Sequence, residues 1–105
     1  MAPQQDAMPI PERVRLVIAL TEVNSRYLRG ENRCAGAEIE LACALACEQR
    51  EGVTPDRTRD IAELRARLDA SENELLAIEA ERDWLENELA NFDTASPARK
   101  PGEWQ

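Results

Sequence analysis

From Ile61 onward, apolar residues recur at alternating steps of three and four. The positions are Ile61, Leu64, Leu68, Ser71, Leu75, Ile78, Arg82, Leu85, Leu89 and Phe92, and all but Ser71 and Arg82 are apolar. An ordinary amphipathic helix follows a 3.6-residue period and drifts out of a strict seven-residue repeat over such a length. The pattern therefore predicts a coiled-coil seam made of Ile61, Leu64, Leu68, Leu75, Ile78, Leu85, Leu89 and Phe92. The start of this helix is well signalled. Thr54 suits the N-cap, Pro55 the first helical position and Asp56 the positive end of the helix dipole. No glycine or proline then intervenes before Pro97. A helix over 55–93 is expected, roughly 58 Å long at 1.5 Å per residue.

The first half of the chain reads as two shorter helices. Pro11 fits a first helical turn, and Val14, Val17, Ile18, Leu20 and Leu28 form one broad apolar face over 11–28. Gly30 stands where a C-terminal glycine belongs, and Asn32 is suited to cap a second helix over 33–50. That helix is alanine-rich, with Ile39, Leu41 and Leu45 among small residues, and Gly52 ends it. The expected fold is all-α: a short helical hairpin followed by one long coiled-coil-forming helix. Residues 11–93 form one domain, residues 1–10 a flexible leader with Pro3 and Pro9, and residues 94–105 a disordered tail with Pro97, Pro101 and Gly102.

Helices of about 18 residues cover only half of a helix twice as long. On this reading Leu75, Ile78, Leu85, Leu89 and Phe92 are left bare, and five large apolar side chains in a row call for a partner. A homo-oligomer is expected, with a dimer favoured. In a parallel dimer Glu74–Glu79, Glu81–Glu86 and Glu88–Asp93 repel. An antiparallel one has one repulsive pair type fewer and places Ser71 level with Arg82 of the other chain. Exposed pairs are worth only about 0.2–0.5 kcal/mol each, so the preference is small.

Charge changes this picture in one respect. The net charge is −8, and it is unevenly spread. Residues 69–93 hold nine acids against Arg82 alone, whereas residues 11–29 hold four arginines against two glutamates. The sign argues against direct binding to nucleic acid or to an anionic membrane, and it permits a basic protein partner. Glu79, Glu81, Asp83, Glu86 and Glu88 are the candidate contacts for such a partner. Trp84 lies outside the seam, on a second stripe with Leu76 and Ala80, and is either packed against the first helix or an anchor for the partner. Trp104 stands in the tail beside Arg99 and Lys100.

Catalytic chemistry finds little support. Histidine is absent, which removes the commonest general base and metal ligand. Cys34, Cys43 and Cys47 lack the second ligand pair that a tetrahedral structural metal site uses, so no metal site is expected. No glycine-rich phosphate loop is present, and no catalytic or cofactor-binding residue is assigned. No apolar run is long enough to cross a bilayer, the N-terminus lacks the features of a secretory signal, and an odd number of cysteines suits reduced thiols in a cytoplasm. Twelve arginines to one lysine point to a GC-rich bacterial or phage genome.

Two functions remain from different classes. The first is a non-enzymatic interaction module that oligomerises through its long acidic helix and acts as an adaptor or structural component. The alternative is a small acidic inhibitor of the kind phages direct against host or defence machinery, occupying a basic groove meant for nucleic acid.

Overall fold

A computed structural model describes residues 9–95. It contains two helices of nearly equal length, α1 (Glu12–Glu51, 40 residues) and α2 (Pro55–Ala95, 41 residues). They pack antiparallel, and α1 runs the full length of α2. Each spans roughly 60 Å at 1.5 Å per residue.

The all-α class holds, but the expected break in the first half does not exist. Gly30 and Asn32 lie inside α1, with helical residues on both sides. Gly30 is buried, and a Cβ built on it would stand 3.0 Å from Cδ1 of Leu75 and 3.7 Å from Cδ1 of Ile78. Its lack of a side chain therefore serves a close helix–helix approach and not a helix end. With the break gone, the first two expected helices are one, and the arithmetic that left half of the last helix bare no longer applies.

Continuity through Gly30 brings a second heptad seam into view. Leu16, Leu20, Val23, Tyr27, Gly30, Cys34, Ala37, Leu41 and Ala44 follow one another at alternating steps of four and three, and every one is buried or half-buried. On α2, Ile61, Ile78 and Leu85 are buried, while Leu64, Leu68, Leu75 and Leu89 are half-buried. Phe92, at the far end, is 39% exposed. The core near the open end joins Leu16 and Val23 to Ile78 and Leu85, with Leu20, Tyr27 and Leu89 packed around them. Large residues on α2 meet small ones on α1 through the middle of the pair, which is how two seams of unequal volume interdigitate.

The two polar seam positions are also dealt with inside the hairpin. The Arg82 guanidinium lies over the Tyr27 ring, 4.2 Å from its centroid, so its charge rests on a π face while its tip stays near water. Ser71 is half-buried.

The turn is set by residues the sequence marks plainly. Gly52 has φ +95°, in the left-handed region where a side chain is strained, and its N–H donates to the Glu48 carbonyl at 2.8 Å. The Thr54 hydroxyl accepts from the Arg57 N–H at 3.1 Å, the N-cap contact expected of it. The Arg57 side chain then fastens the turn by donating to the Gly52 carbonyl and to the Glu51 carboxylate, each at 2.8 Å. At the other end Pro11 occupies the N-cap of α1 and not the first helical position. Thr94 and Ala95 extend α2 beyond the expected end at 93. The leader through residue 8 and the tail from residue 96, with Trp104, lie outside the described residues.

Candidate interaction faces

Register is fixed by charge as well as by volume. Arg26 pairs with Glu81, Arg33 with Glu74 and Glu40 with Arg67. Each step is one heptad down α1 and one heptad up α2, so all three pairs lie on the same flank of the seam. The third reverses the sign order, which disfavours a slipped register where like charges would meet. Arg13 and Asp93 close the open end at 2.9 Å. All these groups are substantially exposed, so each pair contributes only a few tenths of a kcal/mol and acts chiefly on alignment.

The opposite flank is different. Glu31 and Glu38 of α1 and Glu72, Glu79 and Glu86 of α2 occupy heptad-related positions there. Their field is felt by the two titratable groups in the seam. Burial pushes the Cys34 thiol up, with Glu72 and Glu38 adding to the shift. The Tyr27 phenol is likewise raised, first by desolvation and then by its hydrogen bond to Glu79, to which the hydroxyl donates at 3.2 Å. Both are cases of an ionised form disfavoured by burial and by neighbouring negative charge.

The six candidate partner-binding residues do not form one surface. Glu81 is engaged by Arg26 on the ion-pair flank, and Glu79 accepts from Tyr27 on the acidic flank. Glu88 is half-buried, while Asp83 and Glu86 are exposed. Trp84 stands on the outer face of α2, 58% exposed. Leu76 is 62% exposed and, with Ala80, extends the same outer row at intervals of four.

Seven of the eight seam residues, Ile61 to Leu89, are buried or half-buried along the α1–α2 interface, and Phe92 is exposed at its end. A break at Gly30 would leave Leu75, Ile78, Leu85, Leu89 and Phe92 with no residue of the first half opposite them. The signal that finds the opposing α1 residues is the uninterrupted alternation of fours and threes from Leu16 to Ala44, which passes through Gly30 without a change of phase.

Among the described residues no charged side chain is buried, and no group of three or more His, Cys, Asp or Glu side chains is placed to hold a metal. Cys34 is buried, Cys43 exposed and Cys47 half-buried. Cys47 donates weakly to the Glu51 carboxylate at 3.5 Å. No described helix is long and apolar enough to cross a membrane. The grooves beside the seam are open and shallow; one of largely apolar character is bordered by Glu72, Leu75, Leu76 and Glu79. Comparison with protein families, with curated proteins and with solved structures returns no match.

Proposed function

We propose that this chain is a non-enzymatic protein–protein interaction module, a stiff helical hairpin that acts as an adaptor or structural component by presenting its outer faces. The observation that carries this reading is the exposed row Leu76, Ala80 and Trp84 on α2. The inner seam of that helix is already filled by α1, so large apolar side chains on its outer face have no role in closing the hairpin. A helical pair buries only one stripe of each helix, and among the described residues Val23 is the one large side chain that is fully buried. Such a thin core gains from any partner that covers a second stripe. Tryptophan is enriched among the residues that dominate binding energy at interfaces.

The experiment is affinity capture from the native host with the whole chain as bait, quantified against a Trp84→Ala bait. The reading expects at least one protein retained by the wild type and lost with Trp84→Ala, while circular dichroism shows equal helix content. If the two baits retain the same proteins in equal amounts, the outer face of α2 is not the binding surface.

The acidic-inhibitor reading draws support from the flank carrying Glu31, Glu38, Glu72, Glu79 and Glu86, where no arginine of the ion-pair ladder reaches. Salt separates the two readings. A complex driven by that flank weakens steeply between low and high ionic strength, and one anchored on Trp84 changes little.

A further inference from the structure

The outer face of α1 carries an uncharged stripe along nearly its whole length. Starting at Val14 and stepping alternately by four and three to Ala46, ten successive positions hold no charged residue, in a chain that is 32% charged. Val14, Ile18, Leu28 and Ile39 are the large members, 44%, 46%, 61% and 64% exposed. The stripe lies on the side of α1 turned away from α2, so nothing in the hairpin covers it.

We infer that this stripe is a dimer interface, and that its occupant is the same stripe of a second copy laid antiparallel across it. Volume is distributed along the stripe so that it complements itself. Reflected about residue 30, each large side chain of the stripe falls opposite a smaller one. Val14 meets Ala46 of the second copy, and Ile18 meets Ala42. Ile39 meets Thr21, and Leu28 meets Asn32. Leu28 and Asn32 form the central layer, and the next layer out pairs Ser25 with Ala35. A parallel arrangement would instead stack Leu28 on Leu28 and Ile39 on Ile39, and leave Ala35 and Ala42 facing their own copies across gaps. A foreign helix would need no such internal symmetry, whereas a two-fold interface requires the surface to be its own complement.

The flanks of the stripe add one apolar contact and two like-charge approaches. Val17 comes opposite Leu45 of the second copy, extending the apolar contact. Arg29 and Glu31 each approach their own copies at the two-fold axis, on opposite flanks. Both are exposed, so added salt screens these repulsions and strengthens association. The stripe is roughly 48 Å long, and at a helix width of about 10–12 Å it offers on the order of 500 Å² per chain. Together the two chains reach about 1,000 Å², the lower bound for a specific interface, which fits a dimer of micromolar and not nanomolar affinity. The inference deepens the interaction-module reading, since it gives the scaffold a second copy of itself as a partner while α2 keeps Trp84 free.

The test uses the whole chain in light scattering behind a sizing column, over concentrations from about ten to a few hundred micromolar. The expected mass tends toward twice the 11.8 kDa of one chain. Leu28→Arg should return it to a monomer with unchanged helix content, and the equivalent change on α2, Leu76→Arg, should leave the dimer intact. Orientation is read from the native thiol at Cys43, which is exposed. In the antiparallel register residue 15 lies beside Cys43 of the second copy. Mild oxidation should therefore cross-link the Arg15→Cys variant into a covalent dimer. The wild type should cross-link no more than Leu28→Arg does. Positions 15 and 43 of one chain are roughly 42 Å apart along the helix and cannot join each other. A monomeric wild type, a dimer that survives Leu28→Arg, or efficient cross-linking of wild-type Cys43 to its own copy would each overturn the inference. The Trp84→Ala capture experiment would still decide separately whether the chain is an interaction module.

Discussion

Replacing the two glycines inside α1 tests the continuity of that helix, and the two sites should respond differently. Glycine in a helix interior is about 0.8–1.0 kcal/mol worse than alanine, because it loses more backbone freedom on folding. A Cβ at Gly36 would meet nothing within 4 Å. Gly36→Ala should therefore yield nearly the whole difference, about 0.8–1.0 kcal/mol of added stability. For a domain of this size that is a rise in Tm of about 4–8 °C. At Gly30 the same propensity gain is opposed by contact. The new methyl would stand 3.0 Å from Cδ1 of Leu75, so Leu75 must give by a few tenths of an ångström. It is half-buried and borders a shallow groove of about 320 Å³, so it has room to turn at a cost of about 0.5–1 kcal/mol. Gly30→Ala should be close to neutral. Gly30→Leu brings three further carbons toward Leu75 and Ile78 and should lose about 1–3 kcal/mol by overpacking. The assay is thermal and urea unfolding followed by circular dichroism at one fixed protein concentration. If Gly30→Ala instead lowered stability by more than about 1 kcal/mol while Gly36→Ala gained nothing, Gly30 would be a helix-ending residue with positive φ, and the continuous α1 would be wrong.

Other consequences follow from the same packing. Leu85→Asp places a charge in the core beside Leu16, Val23 and Ile78 and should cost more than about 3 kcal/mol, whereas its exposed neighbour Glu86→Ala should change stability by less than about 0.5 kcal/mol in urea unfolding. Arg33→Ala removes one rung of the exposed ion-pair ladder and should also cost less than about 0.5 kcal/mol, with the loss shrinking further in high salt. Thiol labelling near pH 8 should modify Cys43 quickly, Cys47 more slowly and Cys34 only on unfolding, because Cys34 is buried and its thiol is held protonated. The Cys34 and Tyr27 values are both raised in the folded chain. The stability they contribute is therefore complete below their ordinary values and is lost as pH rises through the folded ones. Unfolding free energy should fall in the alkaline range, and Cys34→Ala should remove part of that fall.

Much of α2 was legible in the sequence, because several signals agreed. Thr54, Pro55 and Asp56 marked its start, no helix breaker followed, and large apolar residues kept strict heptad phase to Phe92. The first half of the chain was harder to read because its seam is built from small residues. Gly30, Cys34, Ala37 and Ala44 do not stand out as an apolar face, while the exposed Val14, Ile18 and Leu28 do. The more conspicuous stripe is the exposed one. Gly30 beside Asn32 also resembles a helix end followed by a cap. A glycine needed for close approach and a glycine needed for positive φ look the same in sequence, and only the phase of the residues on either side distinguishes them. With a break at Gly30, the half of the α2 seam from Leu75 to Phe92 has no covering helix, and self-association through that half is the natural inference. The candidate partner residues were chosen by charge density over 79–88, and a helix distributes such a run around its circumference. The ion-pair ladder, the acidic flank and the exposed Trp84 consequently fall on different faces.

The claim on which the rest depends is that the seam from Ile61 to Phe92 is closed by α1 of the same chain. Amide hydrogen exchange on the Leu28→Arg variant, kept monomeric, tests it most directly. The account predicts that amides of Gly30 to Cys34 and of Leu75 to Leu89 are protected together and to a similar degree in that monomer, with exchange accelerating only toward the helix ends. Rapid exchange across Gly30 to Cys34, or loss of protection from Leu75 to Leu89 once the chain is monomeric, would contradict it and would show that the seam needs a second chain.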